Sequence, residues 1–358
     1  MTTRRGFLVS ALAAGLMPKP SWADVGNPAY VAAALVPDGS FHLFGLDAQG
    51  AEVFHVPLPG RGHAAAAHPH RPEAVAFARR PGTFAIVVDC STGKIRATLD
   101  APVGRHFYGH GAFSADGTRL FTTENDYDAG EGRIGVWDVA DGYRRIGEFA
   151  SGGVGPHEIL LMPDSDTLVI ANGGIETHPD SGRVKLNLPM MRPNLSYVAT
   201  TGALLEMVER EPEQHMYSIR HLALSDDGLV AFAMQWEGDG PAYHPLLALH
   251  RQGGEVQLLR APEQEHLDMQ GYGASVAFSG DGSLVAITSS RGGQVQVFDA
   301  VSGEYLASHY ADDLSGVGRA DDGFLLTAGT GVVSRLTGAK FSPVRQFGRN
   351  WDNHLVRI

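Results

Sequence analysis

Five stretches of the chain set a histidine against a short apolar run: GRGHAAAA (His63), FYGHGAFS (His110), VGPHEILL (His157), SIRHLALS (His221) and WDNHLVRI (His354). Neutral imidazole is a ligand that zinc, copper, iron and nickel all accept, and several imidazoles on one rigid scaffold can hold such an ion. A thiolate site is excluded by composition, since Cys90 is the single cysteine. Two further stretches keep the frame without the imidazole: YGASVAFSGDG carries Ser275 there, and LSGVGRADDG carries Gly316. A lone histidine in a strand is most often a hydrogen-bonded structural residue. Five at seven equivalent positions, in a chain with 16 histidines, point instead to convergence at one place.

Seven copies of one unit indicate an array in which each copy packs on the next. Units are expected at 60–102, 103–150, 151–209, 210–262, 263–311 and 312–347. The clearest contains GASVAFS, LVAITSS, QVQVFDA and YLASHYA, four short strands separated by Gly/Asp turns. Four antiparallel strands per unit, few helical stretches and 45 glycines describe propeller blades. Ahead of them, 30–36, 40–46 and 52–57 supply only three strands. The missing innermost strand is expected from 353–358, which carries the fifth histidine. The fold class is therefore all-β, a seven-bladed β-propeller of the WD40/YVTN-like kind whose C-terminal strand closes the first blade.

In that architecture the first strand of each blade lines the axis, and each histidine is expected at the start of such a strand. His354, His63, His110, His157 and His221 then come from five consecutive blades and converge at one mouth, with three or four of them as ligands to one ion. Ser275 and Gly316 leave the remaining arc open. Acids are expected on the same face, from the loops after the second strands: Glu124, Asp126 and Asp128, then Glu176 and Asp180, then Glu237 and Asp239. Glu124 and Glu176 directly follow inner strands and are the acids expected to join the metal site, as ligands, orienting groups or a general base. Arg61, Arg105, Arg220 and Arg349 precede four of the histidines by one to five residues and read either as binding an anionic substrate or as pairing with the loop acids, the pairing being expected for most of them. The long SGRVKLNLPMMRPNLSY segment of the fourth unit reads as a loop on the functional face.

The N-terminus reads as an export signal. Thr3-Arg4-Arg5-Gly6-Phe7-Leu8 is a twin-arginine motif, followed by an apolar run over 8–17 and a Ser21-Trp22-Ala23 cleavage site. Residues 1–23 are thus expected to be a removed leader and 24–358 the periplasmic propeller, with no membrane span. Losing the leader removes three of the 28 basic residues and none of the 40 acidic ones. The remaining acidic balance argues against nucleic acid and anionic membranes as partners. No G-x-S-x-G, Walker, Rossmann, CxxCH or H-E-x-x-H pattern is present.

The strings TENDYDAGEGRIGVWD, GVGPHEILLMPDSDTLVIANGGIETHPDSGRVKLN, SIRHLA and the terminal WDNH resemble the exported bacterial family catalogued as domain of unknown function 1513. The resemblance covers nearly all of the chain beyond the leader. It implies a seven-bladed propeller engaged in periplasmic iron, or copper, acquisition, with imelysin-type and di-haem-peroxidase-like periplasmic proteins as partners. The function expected is therefore metal binding, iron or copper ahead of zinc, with a redox step as an open extension. Two other readings stand beside it. A lactonase-like hydrolase would use an axial metal or a His/Glu pair and turn over a lactone or ester. An interaction scaffold with structural histidines would hold no metal.

Overall fold

The computed structural model describes residues 20–79, 83–182 and 184–358. Seven antiparallel sheets follow one another along the chain, each a blade of a β-propeller. Blade 1 contains β1 (Tyr30–Leu35), β2 (Phe41–Leu46) and β3 (Glu52–Leu58). The innermost strands of blades 2 to 7 are Gly62–Ala67, Arg105–Phe113, Pro156–Leu161, Tyr217–Leu224, Ser275–Phe278 and Leu314–Ala320. All six fall inside the units expected from the sequence.

Side-chain patterning explains the layering. Middle strands such as Glu73–Ala78 and Gly323–Ala328 are buried along their whole length, because both faces pack on neighbouring blades. Outermost strands such as Arg144–Ala150 and Leu204–Glu209 are largely exposed and carry charges, which blunts their free edges. The turns SADG, SDDG and SGDG repeat one device. Asp116, Asp227 and Asp281 each accept a hydrogen bond from the hydroxyl two residues earlier, in Ser114, Ser225 and Ser279. Such side-chain-locked turns fix the register between the first two strands of a blade.

The C-terminus closes blade 1 on β1, with one correction to the expectation. The closing segment starts at Asn350, ahead of residue 353, and is broken in two. Asn350–Trp351 pairs with Leu35 and Ala34, and Val356–Arg357 pairs with Val31 and Tyr30. His354 sits in the gap between them. Trp351 packs edge-on against Phe44 at a centroid distance of 5.5 Å, tying the two chain ends together.

Of the expected leader, residues 1–19 lie outside the described residues. Trp22–Val25 forms a short 3-10 turn, with Trp22 buried and its indole N–H donating to the His68 carbonyl at 2.9 Å. Among the described residues no helix is long and apolar enough to cross a membrane.

Candidate metal centre

The histidines are aimed by irregularities in the innermost strands. The ladder with the second strand slips between Gly62 and Ala65, Phe107 and Gly111, Pro156 and Glu158, and Ile219 and His221. Each slip falls at or around a histidine of the series. A bulge breaks the two-residue alternation of a strand and re-aims a side chain, here toward the propeller axis. His63 and His157 are second in their strands, as expected, whereas His110 and His221 lie several residues in. Gly109 shows why the packing tolerates this. Its φ of 105° suits glycine, and a Cβ there would lie 2.6 Å from the His63 ring.

The five rings gather into one cluster. Centroids of His63 and His354 are 4.6 Å apart, His110 and His354 4.7 Å, His221 and His354 4.8 Å, and His157 and His221 4.9 Å. Two triads offer ligand atoms that all lie within 4.8 Å of one another: His63, His110 and His157, and His110, His221 and His354. His110 belongs to both. His63, His110, His221 and His354 are buried, and His157 is partly so.

What separates this cluster from ordinary buried histidines is the state of its nitrogens. His63 Nδ1, His110 Nε2, His157 Nδ1 and His354 Nε2 are buried without a hydrogen-bond partner in the protein. His250, equally buried, has both nitrogens satisfied, by the Tyr197 hydroxyl at 2.7 Å and the Gly254 carbonyl at 3.1 Å. Leaving one buried polar group unmatched costs about 1–3 kcal/mol. Four such groups belong to histidines of two triads whose ligand atoms lie within 4.8 Å of one another, a donor set for a ligand, and neutral imidazole nitrogens fit a transition-metal ion.

The electrostatics keep them in the ligating form. Burial holds the His63 imidazole down at about 4, against the pull of the Asp352 carboxylate. Burial also drives His110, His157 and His354 well below the usual imidazole range, helped by the charge each neighbouring ring would carry. The proton that competes with a metal is therefore largely absent at neutral pH.

Two carboxylates that the sequence reasoning missed support the cluster. Glu158 places one oxygen 3.2 Å from His221 Nδ1 and the other 3.6 Å from His110 Nδ1, and also accepts the Leu222 N–H. Asp352 lies 3.9 Å from His63 Nδ1 and is gripped by Arg61 at 2.9 Å and Arg79 at 2.7 Å. Burial raises the Asp352 carboxyl, but His63, Arg79 and Arg61 outweigh it and hold the group well below the carboxylate range. Glu158, on Nδ1 of His110 and His221, leaves their Nε2 atoms to ligate, and a carboxylate on the far nitrogen of a ligating histidine fixes its tautomer and raises its basicity. Glu158→Gln is accordingly expected to weaken metal binding about 10–100-fold with little change in melting temperature. Competition against a chelating dye measures this, and an unchanged affinity would contradict the role.

The two acids expected from the loops are not brought to the cluster. Glu124 is fully buried, but its carboxylate is taken by Arg145, at 2.6 and 3.0 Å, and by the Thr122 hydroxyl at 2.9 Å. A buried carboxylate demands such partners, and a position following an inner strand does not by itself face the axis. Glu176 lies partly buried against Gly130, with its backbone N–H donating to Asn187. Neither joins a group of metal-competent ligands among the described residues. Glu124→Ala should cost about 1–3 kcal/mol of stability, because Arg145 loses its two hydrogen bonds to Glu124 while keeping Glu148 at 2.8 Å, with metal content unchanged. Denaturant titration and elemental analysis of one preparation would check both halves.

Two of the four arginines, Arg105 and Arg220, pair with the expected loop acids, and the other two pair with acids elsewhere. Arg61 pairs with Asp352, Arg105 with Asp126 at 3.2 Å, Arg220 with Glu237 at 3.1 Å and Arg349 with Glu52 at 2.7 Å. The long segment of blade 4 is partly a loop. Its 3-10 turn Leu188–Met190 leads into strand Asn194–Ala199, so the final NLSY is sheet. From the loop part, Lys185 reaches across to Glu237 of blade 5. A cavity of about 390 Å³ opens above the cluster, with His63, His157 and His221 in its wall.

The family model described as "Protein of unknown function (DUF1513)" matches residues 56–358. No curated protein matches the chain in sequence. Among solved structures the chain is similar to Kuenenia stuttgartiensis hydrazine synthase, at 15% identity and a TM-score of 0.59, covering 93% of this chain and 98% of that one. That likeness bears on the fold alone.

Proposed function

The chain belongs to the DUF1513 family, and on that premise we propose that it is a periplasmic metal-handling propeller holding iron or copper at its axial histidine cluster. The observation that carries the reading is the convergence of four buried imidazole nitrogens without protein partners in two triads that share His110. His63, His110, His157, His221 and His354 supply the ligands; Glu158 orients His110 and His221 through their Nδ1 atoms, and Asp352 adds negative charge beside His63. Neutral nitrogen donors with no thiolate suit copper, iron and zinc, and by intrinsic affinity copper leads the divalent series. Iron is favoured by the family resemblance, with imelysin-type and di-haem-peroxidase-like proteins as partners in acquisition. Periplasmic location rests on the twin-arginine leader.

A bound ion would supply Lewis acidity or a one-electron couple to whatever enters the cavity above it. The protein's own part is to present neutral imidazoles from rigid strands and to keep one side open. Blades 6 and 7 contribute Ser275 and Gly316 in place of histidines, which leaves room for an exchangeable ligand. X-ray absorption spectroscopy of protein loaded with Fe(II) or Cu(II) tests the reading. Imidazole-only nitrogen ligation is expected, and a spectrum dominated by carboxylate and water oxygens would count against it.

A further inference from the structure

The cavity above the histidines inverts the charge of the molecule. The chain carries a formal net charge of −12, yet Arg79, Lys185, Arg220 and Arg291 line this cavity with Glu237 as the single acid in its wall among the described residues. The available carboxylates are shared. Glu237 serves both Lys185 and Arg220. Asp352 serves both Arg79 and Arg61. Arg291 is exposed, stacks on the Tyr272 ring at 4.4 Å, and has no carboxylate within 4.0 Å among the described residues. Arg220 leaves its Nε buried without a hydrogen-bond partner. Even counting Asp352 and Glu158 behind the wall, its four cations face three carboxylates, one of them shared with Arg61. A divalent ion on neutral imidazoles would add its full charge to that surplus.

Low-dielectric walls lined by one sign of charge concentrate the opposite ion. Guanidinium groups recognise planar oxyanions through paired N–H donors. The volume of about 390 Å³ falls within the range of about 300–1,000 Å³ typical of small-molecule sites, roomier than an inorganic anion needs. Trp236 and Tyr272 add aromatic wall beside the cations, which suits a ligand with an apolar body.

We propose that this cavity binds a small organic carboxylate, its oxygens held by Arg220 and Arg291 and its body against Tyr272 and Trp236, next to the histidine cluster. The inference rests on the metal reading for the meaning of the site, since the anion would lie beside the ion. The rim cations attract it with or without metal. Lys185 comes from the long loop of blade 4, so that loop helps to close the binding site.

The test is calorimetric titration of the full-length protein with benzoate, a poor chelator that leaves a bound ion in place. Metal-free and Zn(II)-loaded wild type are compared with Arg291→Gln and Arg220→Met. Saturable binding to wild type is expected, weakened about tenfold or more in each variant, and weaker binding of inorganic phosphate. Arg291 is exposed, so its variant retains the fold, and melting curves of both variants check this. No benzoate binding to wild type, equal binding to wild type and both variants, or tighter binding of phosphate would each overturn the proposal. Metal content of the same samples separates the two readings. Metal without benzoate binding overturns this inference alone, whereas arginine-dependent benzoate binding without metal supports it and removes the metal reading.

Discussion

The His110→Ala protein is expected to lose metal affinity by about 100-fold or more, beyond the range seen on removing a mere supporting group, while folding normally. His110 is the residue common to both triads, so one substitution disables both. His63→Ala leaves His110, His221 and His354 in place, and His221→Ala leaves His63, His110 and His157. Each of these should retain binding within about tenfold of wild type if three donors suffice. The metal-free stability should change little. Truncation opens a small cavity, but it also deletes a buried Nε2 that has no partner, and the two effects oppose each other at about 1–3 kcal/mol each. Anaerobic titrations with Fe(II) and Cu(II), read by competition, measure the ranking. Equal losses in all three single variants would contradict the shared-ligand geometry.

The second large effect is acid lability of the metal-free protein. Burial keeps His63 near 4, and His110, His157 and His354 well below the ordinary range. An unfolded histidine titrates near 6.5. Between those values the unfolded chain binds protons that the folded chain refuses, so stability is full above about pH 6.5 and falls as the pH drops toward the folded values. Each such histidine contributes about 1.4 kcal/mol per pH unit while it stays neutral. Four together reach several kcal/mol by about pH 5, against a total stability of about 5–15 kcal/mol for a domain. Glu158 and Asp352 face the cluster and soften the loss; Arg79 and Arg220 deepen it. His63 and His157 border the cavity and relax most easily when protonated. Denaturant midpoints at pH 7.5, 6.5 and 5.5 should fall steeply over the last interval, less so in His110→Ala. A flat profile would mean that the rings swing out to water.

Both predictions depend on features that differ in how far the chain itself discloses them. Blade boundaries were legible because blades 3, 5 and 6 repeat a strand, a Ser-x-Asp-Gly turn and a second strand, and because periodic apolar runs leave few alternatives elsewhere. The histidine frame was legible for the same reason: His63, His110, His157, His221 and His354 recur at one place in that repeat. The supporting acids were not. Strand alternation places the neighbour of an inward residue on the opposite face, so Glu158 beside His157 reads as pointing away from the axis. The slip between Pro156 and Glu158 cancels that rule, and a bulge depends on the partner strand more than on local residue types. Glu124 failed in the opposite direction. Its place after an inner strand suggested the axis, but Arg145, two strands away, and Thr122 on its own strand claim its carboxylate. Asp352, two residues before His354, was hidden by the break in the closing strand. Arg79 and Arg291 carry no local signal at all, since what sets them apart is a shortage of nearby carboxylates in three dimensions.

The most direct test of the central claim is elemental analysis of the protein purified natively, without denaturation or chelators. The account predicts near-stoichiometric iron or copper, retained through gel filtration and restored after chelation by adding back the same ion. Absence of metal from the native protein, persisting after reconstitution with Fe(II), Cu(II) and Zn(II), would contradict it and leave the histidine cluster as a packing feature of the axis.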